Sequence, residues 1–174
     1  MENLVENISK SVAIELLFEE MPTRPTANAI FREARKIFGD INIINRDEND
    51  IEFSVDKFVA YNEDNTTSPV VLAMGNITDF DDKVAVSEFE RTQIWNVANS
   101  EELLSKYKYA VKIWDVNAQR QIPKERAIML VDWLNVALKL YPKCQAIWIK
   151  SAGKLQLAQS IKNLKETGIV KYLY

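Results

Sequence analysis

The chain has 174 residues, 47% of them apolar, with 22 Lys and Arg against 25 Asp and Glu, a size and balance that fit a globular domain with its own core and exclude a disordered chain. It holds no histidine and one cysteine, Cys144. The missing imidazole excludes Ser-His-Asp and Cys-His arrangements, HExxH zinc sites and two-histidine iron sites, and the lone thiol excludes an intramolecular disulfide.

Residues 1–10, MENLVENISK, read as a loosely ordered segment or short helix, with neither the basic start nor the apolar run of a signal peptide. With the single cysteine this gives the expectation of a cytoplasmic protein. Residues 11–20 then alternate, Val12, Ile14, Leu16 and Phe18 against Glu15 and Glu19, the period of a half-buried strand. Met21-Pro22-Thr23-Arg24-Pro25 breaks the strand, and from Thr26 the positions Ile30, Ala34, Ile37 and Phe38 take helical spacing up to a stop at Gly39. Ile41, Ile43 and Ile44, the turn 47–50, and the alternating Ile51, Phe53, Val55, Val59 and Tyr61 predict a hairpin. After the polar turn 62–65, the unbroken run Val70-Val71-Leu72-Ala73-Met74 predicts a strand inside the sheet, covered on both faces.

Ser87-x-x-Glu90 has capping-box form and opens a predicted helix through Ile94, Trp95 and Ala98, with a second start at Ser100. Residues 109–116 read as a strand, Pro123 as a helix start, and 125–141 as the most strongly patterned helix, ended by Pro142. Cys144 to Lys150 reads as a last strand, 151–154 as a strand-to-helix turn, and Leu157, Ile161 and Leu164 as a short closing helix before Gly168. Hairpins mixed with helical crossovers predict one α+β domain over 1–174, with an antiparallel or mixed sheet, helices mainly on one face, and a ferredoxin-like arrangement.

Charge is unevenly placed. Residues 1–120 carry 13 basic and 22 acidic side chains, and residues 121–174 carry 9 and 3. Lys139, Lys143, Lys150, Lys154, Lys162, Lys165 and Lys171 make the C-terminal third locally basic, yet Arg126 is its one arginine, too few for a phosphate-binding face. The asymmetry reads as intramolecular charge balance, and a nucleic-acid partner is the third-ranked reading. No run reaches the roughly 18 apolar residues of a membrane span, because Glu15, Lys112 and Asp132 interrupt the longest candidates.

Cys144, just before an apolar strand, reads as a small buried hydrophobe. Four isolated glycines build neither kind of phosphate loop, and Ser151-Ala152-Gly153-Lys154 lacks both the first glycine and the hydroxyl residue after lysine, so no cofactor is expected. Asp79, Asp81 and Asp82 offer hard oxygen ligands to Mg²⁺ or Ca²⁺, the basis of an alternative reading as a metal-assisted hydrolase. Against a calcium-loop template, Asp79, Asp81 and Glu90 fit, but Lys83 stands at a ligand position and Val84 at the required glycine. A solvated acidic loop ahead of a helix is the leading reading.

Helix 125–141 carries two apolar stripes. Ala127, Leu130, Val131, Leu134, Leu138 and Tyr141 form the first; Met129, Trp133, Val136 and Leu140 form a second, centred about 130° away. The second stripe is either covered by the last helix or the N-terminal segment, or is a contact surface with Trp133 at its centre.

The ordered pieces VAIELLFEE, SPVVLAMGNI, Trp95, LLSKYKYAVKIWD and QAIWIKSAGKL resemble, over about residues 11–155, the uncharacterised bacterial family known as domain of unknown function 4261. In that family a histidine commonly precedes the strand that here reads YAVKIWD, and Tyr107 lies in the matching neighbourhood. The resemblance implies a bacterial or phage cytoplasmic α+β domain and no particular activity. The expectation from residues and resemblance together is a non-enzymatic interaction module, immunity-like or regulatory, with a protein partner or a second copy, binding through Met129, Trp133, Val136 and Leu140.

Overall fold

The computed structural model describes residues 11–95 and 97–162, so the opening decapeptide and Leu164, Lys165, Gly168 and Lys171 lie outside the described residues. The elements are β1 (Ala13–Phe18), α1 (Ala27–Phe38), β2 (Ile41–Arg46), β3 (Asp50–Tyr61), β4 (Thr67–Asp79), α2 (Asp82–Ala85), α3 (Glu88–Gln93), α4 (Ser100–Lys106), β5 (Tyr109–Val116), α5 (Pro123–Leu140), β6 (Ala146–Ile149), β7 (Lys154–Leu157) and α6 (Ala158–Lys162). The strands form one antiparallel sheet of seven in the order β2-β3-β4-β5-β1-β6-β7, three more than a four-stranded ferredoxin-like sheet. No helix of the described residues is long and apolar enough to cross a membrane.

Local chemistry sets the boundaries. The Thr26 hydroxyl accepts from Ala29 N to start α1, and Gly39, at φ +77°, ends it while donating its N–H to Arg35 O. The predicted hairpin forms as β2–β3, with a bulge between Ile43 and Asn45. Asp47 closes its turn by accepting from Asn49 N and Asp50 N, both at 2.8 Å.

Alternation along the strands divides the core between the two faces. Ile14, Leu16 and Phe18 of β1, with Phe53, Leu72, Val111, Ile113 and Ile147, pack under α1, α5 and α6. Leu17, Ala110, Ala146, Trp148 and Leu155 face the other way and are covered by the segment that carries α2, α3 and α4. α1, α5 and α6 thus share one face, and α2, α3 and α4 lie on the opposite one, so the helices divide between the two faces rather than lying mainly on one.

Two local expectations are corrected. Residues 151–154 do not lead straight into a helix: a 3-10 turn at Lys150–Ala152 and Gly153, at φ +58°, reverse the chain into β7, which pairs antiparallel with β6. A four-residue strand is too short for its alternation to declare itself in the sequence. The helix expected through Ala98 ends at Gln93, where Ile94 leaves helical geometry and turns its side chain into the second core.

The contact surface expected on the long helix is also corrected. Met129, Trp133 and Val136 are buried within the chain, and Leu140 is partly buried against the same core. Trp133 donates its indole N–H to Ala73 O at 3.1 Å, and its ring meets Phe53 edge-on with centroids 5.2 Å apart. Phe53 in turn contacts Phe31 and Phe38 of α1. The second stripe is therefore covered by α1 and the β3–β4 half of the sheet, while Tyr141, at the end of the first stripe, packs on Phe18. Beyond Pro123 at its start, only a narrow arc of α5, Lys124, Ile128, Asn135 and Lys139, is exposed.

Charged groups lock the helices to this frame. Asp115, fully buried, takes Arg126 Nε at 2.7 Å and Nη2 at 2.9 Å and also accepts from Val12 N at 2.8 Å, tying the start of α5 to β5 and to the entry of β1. Glu33 of α1 meets Lys36 at 2.7 Å through Oε1 and Lys139 of α5 at 2.7 Å through Oε2. The Lys139 ammonium, and then that of Lys36, hold the Glu33 carboxyl down from its ordinary 4.5 to about 2.

Trp133→Ala is expected to cost about 3–5 kcal/mol in urea unfolding, and Trp133→Glu to abolish folding rather than yield a folded monomer. Because the folded pKa of Glu33 lies below its unfolded value, its contribution is complete above about pH 4.5 and lost as pH falls towards 2. Glu33→Gln is expected to flatten that part of the stability-against-pH curve, measured by thermal unfolding across the acid range.

Candidate interaction surface

Residues 80–107, between β4 and β5, are pinned at both ends by backbone bonds. Phe80 N donates to Lys108 O, and Lys108 N donates to Phe18 O, each at 2.8 Å. Phe80, Val86, Ile94, Leu104 and Tyr107 point inward onto Leu17, Trp148 and Leu155. Gln93, at the end of α3, lies against the β6–β7 turn, where a Cβ added at Gly153 would stand 3.5 Å from its own Cβ.

The polar side chains of this segment build its short helices. Asp81 caps α2 by accepting from Lys83 N at 3.0 Å. Ser87 and Glu90 form the full capping box, with Glu90 N on Ser87 Oγ at 3.2 Å and Ser87 N on Glu90 Oε2 at 2.8 Å. Burial would raise the Glu90 pKa, but the Ser87 bonds prevail and hold it below its usual value. Arg91 of α3 reaches back to α2, bonding both the carbonyl and the carboxylate of Asp82 at 2.6 and 2.8 Å. On the sheet nearby, Glu15 lies opposite Lys112 and Trp148 in register. Burial raises its pKa against the opposing pull of Lys112 and Lys150.

On the outward side of the segment three large apolar side chains stand exposed among polar ones. Val84 is 82% exposed, Phe89 74% and Trp95 84%. Between α2–α3 and α4 runs an open groove of about 770 Å³, whose walls include Asp82, Lys83, Glu88, Arg91, Glu101 and Ser105.

Several residues singled out in the sequence take other roles. Asp79, Asp81 and Asp82 do not form a ligand set: Asp79 sits at the end of β4 opposite Tyr109, Asp81 is a helix cap, and Asp82 is held by Arg91. Among the described residues no three potential metal-binding side chains converge. Cys144 is buried, its thiol 3.2 Å from Ala146 O. Tyr107 is a buried member of the second core, and burial followed by the nearby Glu19 pushes its phenol up. Of the C-terminal lysines, Lys139 pairs with Glu33, and Lys143 and Lys150 are exposed at separate turns.

Periodicity alone does not mark Trp95 as exposed, because a helix running through to Ala98 would absorb it as one more periodic position. The available signal was angular: Phe89 lies five residues before Ile94, about 140° round a helix, so the two cannot share a buried face. Comparison with protein families, with curated proteins and with solved structures finds no match for this chain.

Millimolar Mg²⁺ or Ca²⁺ is expected to leave the Tm unchanged, since two of the three carboxylates a metal would need, Asp81 and Asp82, already serve as cap and ion pair. Asp81→Ala is expected to lower stability by about 1 kcal/mol through loss of the cap, read by chemical denaturation.

Proposed function

We propose that the protein is a non-enzymatic interaction module that binds another protein through the outward side of residues 80–107. The observation that carries this reading is the exposure of Val84, Phe89 and Trp95 within one short stretch whose inward side chains already form a core. Single exposed hydrophobes are ordinary, but a tryptophan and a phenylalanine held outward on one pinned segment match the anchors that dominate protein interfaces. Five polar side chains beside them, Asp81, Asp82, Ser87, Glu90 and Arg91, are engaged in caps and an ion pair, which suits a rigid binding platform.

A ferredoxin-like core extended at both edges belongs to the same reading. It is supported by the run β4-β5-β1-β6, with α1 following β1 and α5 joining β5 to β6; β2 and β3 extend one edge and β7 the other. A bacterial or phage cytoplasmic setting, an immunity-like or regulatory role, and kinship with the family of unknown function 4261 rest on the sequence resemblance.

The test is a double variant, Phe89→Ser with Trp95→Ser. Both side chains are exposed, so its Tm should stay within a few degrees of the parent's. Immobilised parent protein should retain a partner, identified by mass spectrometry, that the double variant fails to retain and that an Ile44→Ser surface control retains. Equal retention by the double variant would overturn the assignment of this surface.

A further inference from the structure

We infer that the partner presents a cationic segment, arginine or lysine side chains interspersed with apolar ones, to the groove between α2–α3 and α4. The inference rests on the interaction reading above and adds the chemistry of what is bound. Residues 79–106 hold seven acidic side chains against three basic ones. Two of those three cations are already engaged: Arg91 with Asp82 at 2.8 Å, and Lys106 with Glu102 at 3.1 Å. Arg91 also bonds the Asp82 carbonyl, which fixes its guanidinium against α2 and leaves little of its charge for a ligand.

What faces the groove unpaired, among the described residues, is Glu88 from α3 and Glu101 from α4, both exposed, against Lys83 of α2. Carboxylates on two different helices bordering an open groove favour a cation entering between them. Phe89 and Trp95 on the same segment offer aromatic faces to a guanidinium and apolar area to its neighbours. An anionic partner would meet two carboxylates, Glu88 and Glu101, against the one ammonium of Lys83, because Arg91 is held by two hydrogen bonds to Asp82.

The experiment uses two synthetic peptides of equal length, one alternating Arg and Leu and one alternating Glu and Leu, titrated into the full-length protein and followed by fluorescence anisotropy at low and high salt. The arginine peptide should bind, weaken as salt rises, and bind about ten-fold or more weakly to the Glu88→Lys, Glu101→Lys double variant. An Asp40→Lys, Glu48→Lys control, with the same change in net charge on distant exposed loops, should bind as the parent does. Lys83→Ala should tighten binding. Circular dichroism melts establish that each variant is folded.

Preferential binding of the glutamate peptide, no binding of the arginine peptide, or equal weakening in the loop control would overturn the inference. If Phe89→Ser with Trp95→Ser abolishes partner retention while the groove charge reversal changes neither peptide nor partner binding, the interaction surface stands and the cationic partner is refuted.

Discussion

The position of β1 is the constraint on which the rest of the structure depends. This six-residue strand pairs with β5 on one side and β6 on the other, so both its edges lie inside the sheet and its side chains point to the two faces. Ile14, Leu16 and Phe18 require cover on one face and Leu17 on the other. The first cover comes from α1 and α5. The second comes from residues 80–107, which explains why the link from β4 to β5 is long and helical although the two strands are neighbours.

That link meets two separate demands with two sets of residues. Its inward side chains, Phe80, Val86, Ile94, Leu104 and Tyr107, complete the second core. Its polar residues hold the short helices in place through the Asp81 cap, the Ser87–Glu90 box and the Arg91–Asp82 pair. Val84, Phe89 and Trp95 stand outside both the second core and this polar framework. A backbone already ordered in this way has little conformational entropy left to lose in any further contact.

Buried charge does the corresponding work on the helical face. Asp115 is fully buried, and an unpaired carboxylate there would be strongly destabilising, so Arg126 and the Val12 amide must all be in place together. This makes the entry of β1, the end of β5 and the first turn of α5 one mechanical unit. Glu33 joins the opposite side of α5 to α1 through Lys139, and the excess of lysine near the C-terminus finds one of its counter-charges here.

The sequence by itself determined the α+β class, the first hairpin, the inner position of β4, the capping box at Ser87 and the helix that starts at Pro123. Each follows from local periodicity or from a cap whose partners lie within a few residues. It did not determine β7, whose four residues are too few to show a period, or the end of α3, where burial of Ile94 overrides helical spacing. The fate of the second stripe on α5 was beyond local reading as well. Met129, Trp133 and Val136 look the same on a helical wheel whether α1 covers them or another molecule does, and only the packing of Phe53 between Trp133 and α1 decided for the core. The exposed surface moved accordingly to Phe89 and Trp95, because exposure depends on which neighbours the fold brings near, and those neighbours are set by strand order rather than by adjacent residues.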